Sequence, residues 1–413
     1  METVNEKAST PIGSVMRHNL CMRIAPLLLL IAACGGRATQ PTLPQAPAAV
    51  PASDLAAAKQ GAPRADAQDA AHLAAKDPRV VDLDIIRIRA TSSGPGGDKE
   101  LTSVASADLF RAAGEAVAAG RTQEAMTRYR QLVSEFPDSL YAPVSLFNIA
   151  AIYDKQGDMP NTIATLRELV KTYPQTHESI EGHLFIAALQ ADHQQFADAA
   201  KTLDEALARQ GLTFADRIEA QARKGYVELE QKHYDVADTA LAGAIAEWRK
   251  APHIEDPYYI AMAHYYRGEL AHRRFADAPV RLPDDQLLAD LEAKRVLAVQ
   301  AYDRWKEALQ FKHAYWATAS GYQMSQIFVE LWQITVTAPY PTRLAPTDRA
   351  KYLAEVHQRV REHLAKALEG HRMNVELAKA YGVDTTWSKG SEQQAVKVMQ
   401  MLARDSAGDY VTP

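Results

Sequence analysis

Three stretches of the sequence repeat one pattern of large, small and turn-forming residues. They read LFRAAGEAVAAGRTQEAMTRYRQLVSEFP at residues 109–137, LFNIAAIYDKQGDMPNTIATLRELVKTYP at 146–174 and LFIAALQADHQQFADAAKTLDEALARQG at 184–211. Two sets of positions recur at steps of 37 residues, namely Ala125, Thr162 and Ala199, and Tyr129, Leu166 and Leu203. A fixed period of this length predicts a repeat architecture, in which each copy is one structural unit.

Each copy has the sequence features of a helix hairpin. An apolar-periodic first helix (helix A) is followed by a turn near Gly120 or Gly157, and a second periodic helix (helix B) then follows. Glycine relaxes the turn after helix A, and Pro137 and Pro174 end helix B because proline cannot continue a helix. The sequence therefore predicts antiparallel helix pairs connected in series.

The pattern resembles the tetratricopeptide repeat, whose unit of about 34 residues would be extended here by about three. Small residues such as Ala125 occupy the positions where paired helices cross closely, and larger ones such as Leu166 fill the seam between units. The resemblance implies an all-α protein. We expect an α-solenoid of tetratricopeptide-type helix hairpins with a C-terminal helical cap, preceded by a signal peptide and a disordered linker.

The repeat loses its regularity toward the C-terminus. Residues 106–250 hold four units, and residues 251–336 are expected to form degenerate repeat-like helices, including a long helix over Asp284–Leu309. Residues 337–413 are predicted to form the cap that the exposed end of a stacked array needs. Within the cap, periodicity predicts three helices at Asp348–Leu368, Arg372–Tyr381 and Gln393–Ala403.

Residues 1–33 have the features of a secretory signal. Ten apolar residues, 24–33, follow Arg23, and a helix of about 15 Å is too short to cross a bilayer core of about 30 Å. Residues 31–35, IAACG, resemble a bacterial lipobox, which implies that Cys34 is lipidated and becomes the first residue of the mature protein. The alternatives are a cysteine in a buried helix or an ordinary signal peptide with a chance cysteine. Translation could start at Met1 or at Met22.

A proline- and alanine-rich stretch, 34–78, is predicted to be a disordered tether behind the lipid. Residues 79–105 form a short strand-like segment and connector, in which Val80–Ala90 alternates like a strand and Thr91–Lys99 is the connector. Such a strand either pads the array or adds to the edge of a partner's sheet. By resemblance to other lipoproteins, Gly35 favours the outer membrane, with the folded part facing the periplasm.

Composition excludes several classes of protein. The chain has 413 residues, of which 47% are hydrophobic, and its mean hydropathy of −0.28 argues against a polytopic membrane protein. Its net charge of −5 lacks the basic excess of a nucleic-acid-binding protein. Two cysteines, Cys21 and Cys34, exclude a disulfide framework.

The sequence lacks a convincing catalytic or metal site. His177-Glu178 is the nearest match to HExxH, but His183 follows His177 by six residues, which places it on another helical face. His253, His264 and His272 are close in sequence without a carboxylate to complete a ligand set. We therefore predict a non-enzymatic protein with no metal and no cofactor apart from the lipid on Cys34.

Partner binding is the remaining function, and the resemblance implies where it occurs. In tetratricopeptide units the second, fifth, ninth and twelfth positions of helix A line a concave groove. Carried over to this chain, they give the candidate partner-binding residues Phe110, Phe147, Asp154, Leu184, Tyr226 and Tyr265. Large aromatic residues are favoured interface anchors, although the same side chains could pack between neighbouring units.

Further resemblances suggest a setting for this groove. The Tyr/Phe-Pro helix ends and the 37-residue step resemble the lipoprotein of the β-barrel assembly machinery and the periplasmic coordinator of the Tol–Pal system. Residues 313–341 resemble tetratricopeptide lipoproteins of the myxobacterial gliding-motility envelope complex. We expect a scaffold that holds a peptide or helix of an envelope protein and binds no nucleic acid. The alternatives are a glycan-binding lipoprotein and an envelope hydrolase.

Overall fold

The structure is a computed structural model that describes residues 86–92, 99–251 and 254–413. The predicted signal peptide, Cys34, the whole of the predicted tether and His253 lie outside these residues. Contacts divide the described residues into two compact bodies. The array is the described part of Leu43–His272 together with Ala301–Gly321, and the C-terminal body is Arg273–Gln300 together with Tyr322–Pro413. Among the described helices, none has both the length and the apolar character of a membrane span.

Thirteen α-helices and a two-stranded ribbon make up the regular structure of the described residues. The strands are β1 (Ile86–Ser92) and β2 (Lys99–Ala105). The helices are α1 (Ser106–Ala118), α2 (Thr122–Glu135), α3 (Tyr141–Lys155), α4 (Met159–Thr172), α5 (His177–Asp192), α6 (Phe196–Leu207), α7 (Phe214–Glu230), α8 (Tyr234–Lys250), α9 (Tyr258–Asp277), α10 (Asp284–Leu309), α11 (Ala314–Val336), α12 (Arg349–Tyr381) and α13 (Thr386–Ser406). A 3-10 turn, Pro346–Asp348, precedes α12.

Helices α1 to α8 form four consecutive antiparallel pairs, as the sequence period predicts. The small-residue positions of the four B helices are all fully buried, and the large-residue positions are buried as well: Ala125, Thr162, Ala199 and Ala237, then Tyr129, Leu166, Leu203 and Leu241. At Gly225 in α7, an added Cβ would overlap the side chain of Leu241 in α8, so this pair crosses closely. The repeat register read from the sequence is confirmed.

Each of the four hairpins turns through one residue with left-handed backbone geometry. These residues are Gly120 (φ +72°), Gly157 (φ +73°), Gln194 (φ +59°) and Lys232 (φ +63°). Glycine adopts this conformation without a steric penalty, whereas a residue with a Cβ does not. The turn geometry is thus kept in the third and fourth hairpins although the glycine is not.

The N-terminal ribbon corrects one prediction. The sequence analysis expected a single strand-like segment and a connector over Thr91–Lys99, but β1 continues to Ser92 and Lys99 begins a second strand. The two strands pair antiparallel, with Ile86 opposite Ala105 and Ser92 opposite Lys99. A strand gains little stability without a hydrogen-bonded neighbour, and β2 supplies one for β1.

Helix α12 corrects a second prediction made from the sequence. The sequence analysis split it into Asp348–Leu368 and Arg372–Tyr381, but the structure has one uninterrupted helix of 33 residues. Gly370 costs about 1 kcal/mol of helix propensity, yet it does not break the helix. Its missing side chain makes room for Ser325, whose hydroxyl would clash with a Cβ at this position. The predicted bounds of the long helix Asp284–Leu309 are confirmed.

A regularly spaced seam holds the C-terminal body together. Along α12 the buried positions alternate in steps of four and three: Leu353, His357, Val360, Leu364, Ala367, His371, Asn374 and Ala378. This is the heptad spacing of helices that pack side by side at a shallow angle. On α13, Ser391, Val398 and Asp405 are buried at steps of seven residues. Three of the eight seam positions of α12 are polar, which is unusual for a helical core.

Candidate partner-binding face

Two of the predicted aromatic anchors are half-buried. Phe147 in α3 lies 6.0 Å, centroid to centroid, from Phe185 in α5, so an aromatic pair bridges the A helices of two neighbouring hairpins. Phe110 in α1 stacks on Tyr141 with centroids 5.0 Å apart. Half-buried rings of this kind combine a fixed position with surface that a partner can cover.

The other predicted apolar residues lie in the core. Leu184 and Tyr226 are each 4% exposed, and Tyr265 is 2% exposed among Tyr266 and Trp316. Their side chains offer almost no surface to a partner. Their role as contacts stays a prediction, and on geometry Phe110, Phe147 and Asp154 are the accessible members of the predicted set.

The A helices of the second, third and fourth hairpins each carry an acidic residue in the last turn. Asp154 is near the end of α3, Asp192 is the last residue of α5 and Glu230 is the last residue of α7. The carbonyl ends of a helix carry partial negative charge, so a carboxylate is unfavourable at this end. Three successive A helices thus carry a carboxylate where the helix dipole disfavours it. Helix stability does not explain this arrangement.

Burial adds to this cost at two of the three positions. Burial raises the pKa of Asp154, and burial also raises the pKa of Asp192, to about 6, with the Asp154 charge adding to the shift and Arg223 opposing it. Within the described residues, Asp192 Oδ1 is shielded from solvent and accepts no hydrogen bond. An unsatisfied carboxylate oxygen costs free energy that a donor from outside could recover.

The nearest arginine does not satisfy this carboxylate. Arg223 Nε donates to Glu219 Oε1 at 3.0 Å, and Arg223 Nη2 donates to the Tyr259 hydroxyl at 2.8 Å. The guanidinium also lies 5.3 Å from the centre of the Tyr259 ring. A cavity of about 10 Å³ separates Asp192, Arg223 and Tyr226, which is space for roughly one water molecule.

We call the surface formed by Phe147, Asp154, Phe185 and Asp192 the A-helix face. It combines an aromatic pair with two desolvated carboxylates, so it suits a segment that carries an apolar side chain and a basic one. The cavity beside Asp192 is far smaller than the several hundred Å³ of typical small-molecule sites. Asp192 and Phe185 were not predicted from the sequence. A signal for Asp192 is the recurrence of an acidic residue near the end of the A helices of the second, third and fourth hairpins.

The histidines singled out by the sequence have ordinary partners. His183 is buried, and its Nδ1 donates to the Ser179 carbonyl at 2.8 Å. His264 Nδ1 donates to Glu307 Oε2 at 2.8 Å. In the described residues, no three histidine, cysteine or acidic side chains converge in a way that could hold a metal ion.

The tryptophans do not form the exposed platform that glycan binding requires. Trp305, Trp316, Trp332 and Trp387 are buried, and Trp248 is half-buried against Phe311. Sugars bind on exposed, coplanar aromatic faces, so this arrangement does not favour the glycan-binding alternative.

Comparison with known families agrees with the helical pairing. Residues 98–255 match the family described as tetratricopeptide repeat-like domain. The matched residues contain helices α1 to α8, the four hairpins of the array. The solenoid of helix hairpins expected from the 37-residue step is thereby confirmed, and the matched family is one of repeats rather than of catalysts. No curated protein sequence matches the chain.

Solved structures similar to this repeat-like chain are distant in sequence. BtubC from P. vanneervenii has 12% identity and a TM-score of 0.40, over 68% of this chain and 94% of that one. The apo form of RapI has 12% identity and a TM-score of 0.38, over 72% and 99%. A tetratricopeptide repeat protein from Parabacteroides merdae ATCC 43184 has 11% identity and a TM-score of 0.33, over 71% and 98%.

Proposed function

We propose that this protein is a non-enzymatic scaffold of the bacterial envelope. A lipid on Cys34 anchors it in the outer membrane, residues 34–78 act as a tether, and the array faces the periplasm. The A-helix face then binds a peptide or helix of an envelope protein complex, of the gliding-motility or outer-membrane assembly type. The repeat-like fold supports the scaffold role, because stacked helix pairs present long surfaces to other polypeptides.

The proposal depends on one observation: Asp192 Oδ1 is buried and unsatisfied, about two turns of α5 away from the half-buried Phe185. A lysine or arginine of the partner that reached this oxygen would replace a desolvation penalty by a charge-assisted hydrogen bond. Asp154 strengthens the preference for a basic residue, because its carboxylate raises the negative potential at the same place. The partner segment is therefore expected to place a basic side chain a few residues from an aromatic or aliphatic one.

Photo-crosslinking in native envelopes tests this face. A photoreactive phenylalanine analogue replaces Phe185, and a second protein carries it at Val236, an exposed position of helix α8. We expect crosslinks to a defined partner from position 185 that fall at least fivefold when Asp192→Asn is added. Equal crosslinking from both positions, or crosslinking that is indifferent to Asp192→Asn, would contradict the proposal. Unchanged helical circular dichroism of each variant is the folding control.

The anchor needs a separate test. Cells are grown with an alkyne fatty acid, and labelling of the wild-type protein is compared with labelling of Cys34→Ser and of Cys21→Ser. We expect the label and membrane fractionation to be lost only with Cys34→Ser. Retained labelling in Cys34→Ser would overturn the lipid anchor while leaving the A-helix face open to its own test.

A further inference from the structure

The α12–α13 hairpin has an apolar groove. The groove lies beside the buried seam between these two helices. Leu368 and Leu402 line it together with three alanines, Ala365, Ala380 and Ala395. The short alanine side chains on both helices leave an open trough of about 870 Å³. We call this trough the outer groove. It belongs wholly to the C-terminal body.

Exposed apolar residues continue the groove along both helices. Met373 on α12 is 49% exposed, and Val396 and Met399 on α13 are 51% and 46% exposed. Met399 lies four residues after Ala395 and three before Leu402, so all three share one face of α13. A helix that packs once against its neighbour needs a single apolar stripe. These two helices carry a second stripe that nothing in the described residues covers.

The dimensions of the groove fit an α-helix. On α12 it runs from Ala365 to Ala380, which is about 22 Å at ~1.5 Å per residue. A third helix packed along two others would bury the exposed methionines and complete a three-helix arrangement. Methionine suits such a surface, because its flexible side chain adapts to different partners.

Charge at the groove indicates the chemistry of the occupant. Three of the four charged side chains that line it are carboxylates, Glu369, Glu376 and Glu392, and the fourth is Arg372. Lys379 Nζ bonds to Glu376 Oε1 at 2.8 Å, so the charges at the groove, with Lys379 counted, are three carboxylates and two cations. The rim keeps a net negative charge, which complements a helix with basic flanks.

We infer that the outer groove is a docking site for an amphipathic, basic α-helix of another protein. Two copies of the groove would bring acidic rims against each other, which disfavours self-association through it. An anionic lipid surface would be repelled by the same three carboxylates. The inference does not depend on what the A-helix face binds.

Peptide binding tests the inference directly. The probes are two fluorescein-labelled 18-residue peptides with leucine at helical spacing, one with lysine and the other with glutamate at all remaining positions. Each is titrated with the full chain carrying Cys34→Ser, and fluorescence anisotropy gives the affinity. We expect the lysine peptide to bind at least tenfold tighter than the glutamate peptide, and to lose affinity as salt is raised.

Three variants locate the binding. Met373→Ser with Met399→Ser removes apolar surface from the groove and from its continuation on α13, and we expect at least fivefold weaker binding of the lysine peptide. Glu369→Gln with Glu376→Gln and Glu392→Gln should abolish the preference between the two peptides. Val299→Ser changes an exposed valine of α10 outside the groove and should bind as the parent does. All the changed side chains are exposed, and matching thermal unfolding curves verify folding.

Several results would overturn the inference. Equal binding of the two peptides by the parent protein would remove the charge argument, and unchanged binding by the serine variant would place the site elsewhere. Dimerisation in sedimentation that the serine variant abolishes would identify a second copy as the occupant. Flotation with phosphatidylglycerol vesicles that the same variant abolishes would identify lipid.

Discussion

The array and the C-terminal body are both helical, but they bury different chemistry between their helices. In the array, the repeated seam positions are apolar, as at Leu166, Leu203 and Leu241. In the C-terminal body, the seam of α12 includes His357 and His371, both fully buried. Apolar seam contacts do not require one specific partner side chain. The same unit can therefore stack on itself repeatedly. Polar seam contacts need specific partners, and they fix a single arrangement.

His357 shows what this specificity requires. Its Nδ1 is hydrogen-bonded to Asp405 Oδ2, and its Nε2 lies 2.9 Å from the Val411 carbonyl oxygen. Arg361 Nη2 donates to the Asp405 carbonyl at 3.0 Å, and its Nε donates to the Asp405 carboxylate. One buried aspartate of α13 thus bonds to two residues of α12.

The largest effect on the free energy of unfolding is expected from Asp405→Asn. The substitution keeps the shape of the side chain but removes the buried negative charge that pairs with Arg361 and faces the His357 ring. Breaking a buried pair in this way costs about 3–5 kcal/mol. Urea unfolding followed by tryptophan fluorescence measures it, since Trp332 lies 5.8 Å from the His357 ring.

A matched control separates this effect from the loss of an ordinary ion pair. Asp409→Asn, close by in the chain, removes an exposed pair with Arg404 at 2.6 Å and should leave the stability nearly unchanged. Comparable losses in the two variants would show that the buried cluster has no special role.

A second prediction concerns acid stability of the C-terminal body. Burial lowers the pKa of His371 from 6.5 to about 4, so the unfolded chain takes up a proton before the folded one does. Folding free energy is therefore lost as the pH falls from about 6.5 to 4, by up to about 3 kcal/mol. His371→Leu should flatten this dependence in urea unfolding measured at each pH. An equally steep acid loss in the variant would assign it to other groups.

Asp192 in the array should respond to acid with the opposite sign. Because the folded pKa is raised to about 6, the folded state takes up the proton first, and stability rises as the pH falls from about 6 to 4. Asp192→Asn should remove this dependence and stabilise the array at pH 7 by about 1–2 kcal/mol after screening. Thermal unfolding at pH 4.5 and pH 7 measures both effects.

The control for this variant is Asp198→Asn, at an exposed position of α6. It should leave the stability and its pH dependence unchanged. If Asp192→Asn instead destabilises the array at pH 7, the carboxylate is a structural contact. The A-helix face would then lose its strongest support.

The comparison also shows what sequence could predict. The step of 37 residues gave the pairing of α1 to α8, because every unit buries the same positions. The single helix α12 was missed because Gly370 is read as a break unless its contact with Ser325 is known. In the candidate site, Phe147 and Asp154 were predicted by position. The recurrence of acidic residues at the ends of A helices marks the position of Asp192, but no spacing predicts the burial and the unsatisfied oxygen that make it significant.

The smallest changes in stability are expected from substitutions in the hairpin turns. Gly157→Ala places a Cβ on a backbone with φ +73° and should destabilise the array by about 1 kcal/mol. Lys232→Gly at φ +63° relieves the same strain but frees the unfolded chain, so a gain below about 0.5 kcal/mol is expected. Gly114→Ala, inside α1 with open space around it, should instead stabilise by about 0.5–1 kcal/mol. The same change, glycine to alanine, is thus expected to destabilise at position 157 and to stabilise at position 114. Urea unfolding of these two variants tests whether the turn needs glycine for its backbone conformation. Equal shifts in stability at the two positions would refute this explanation.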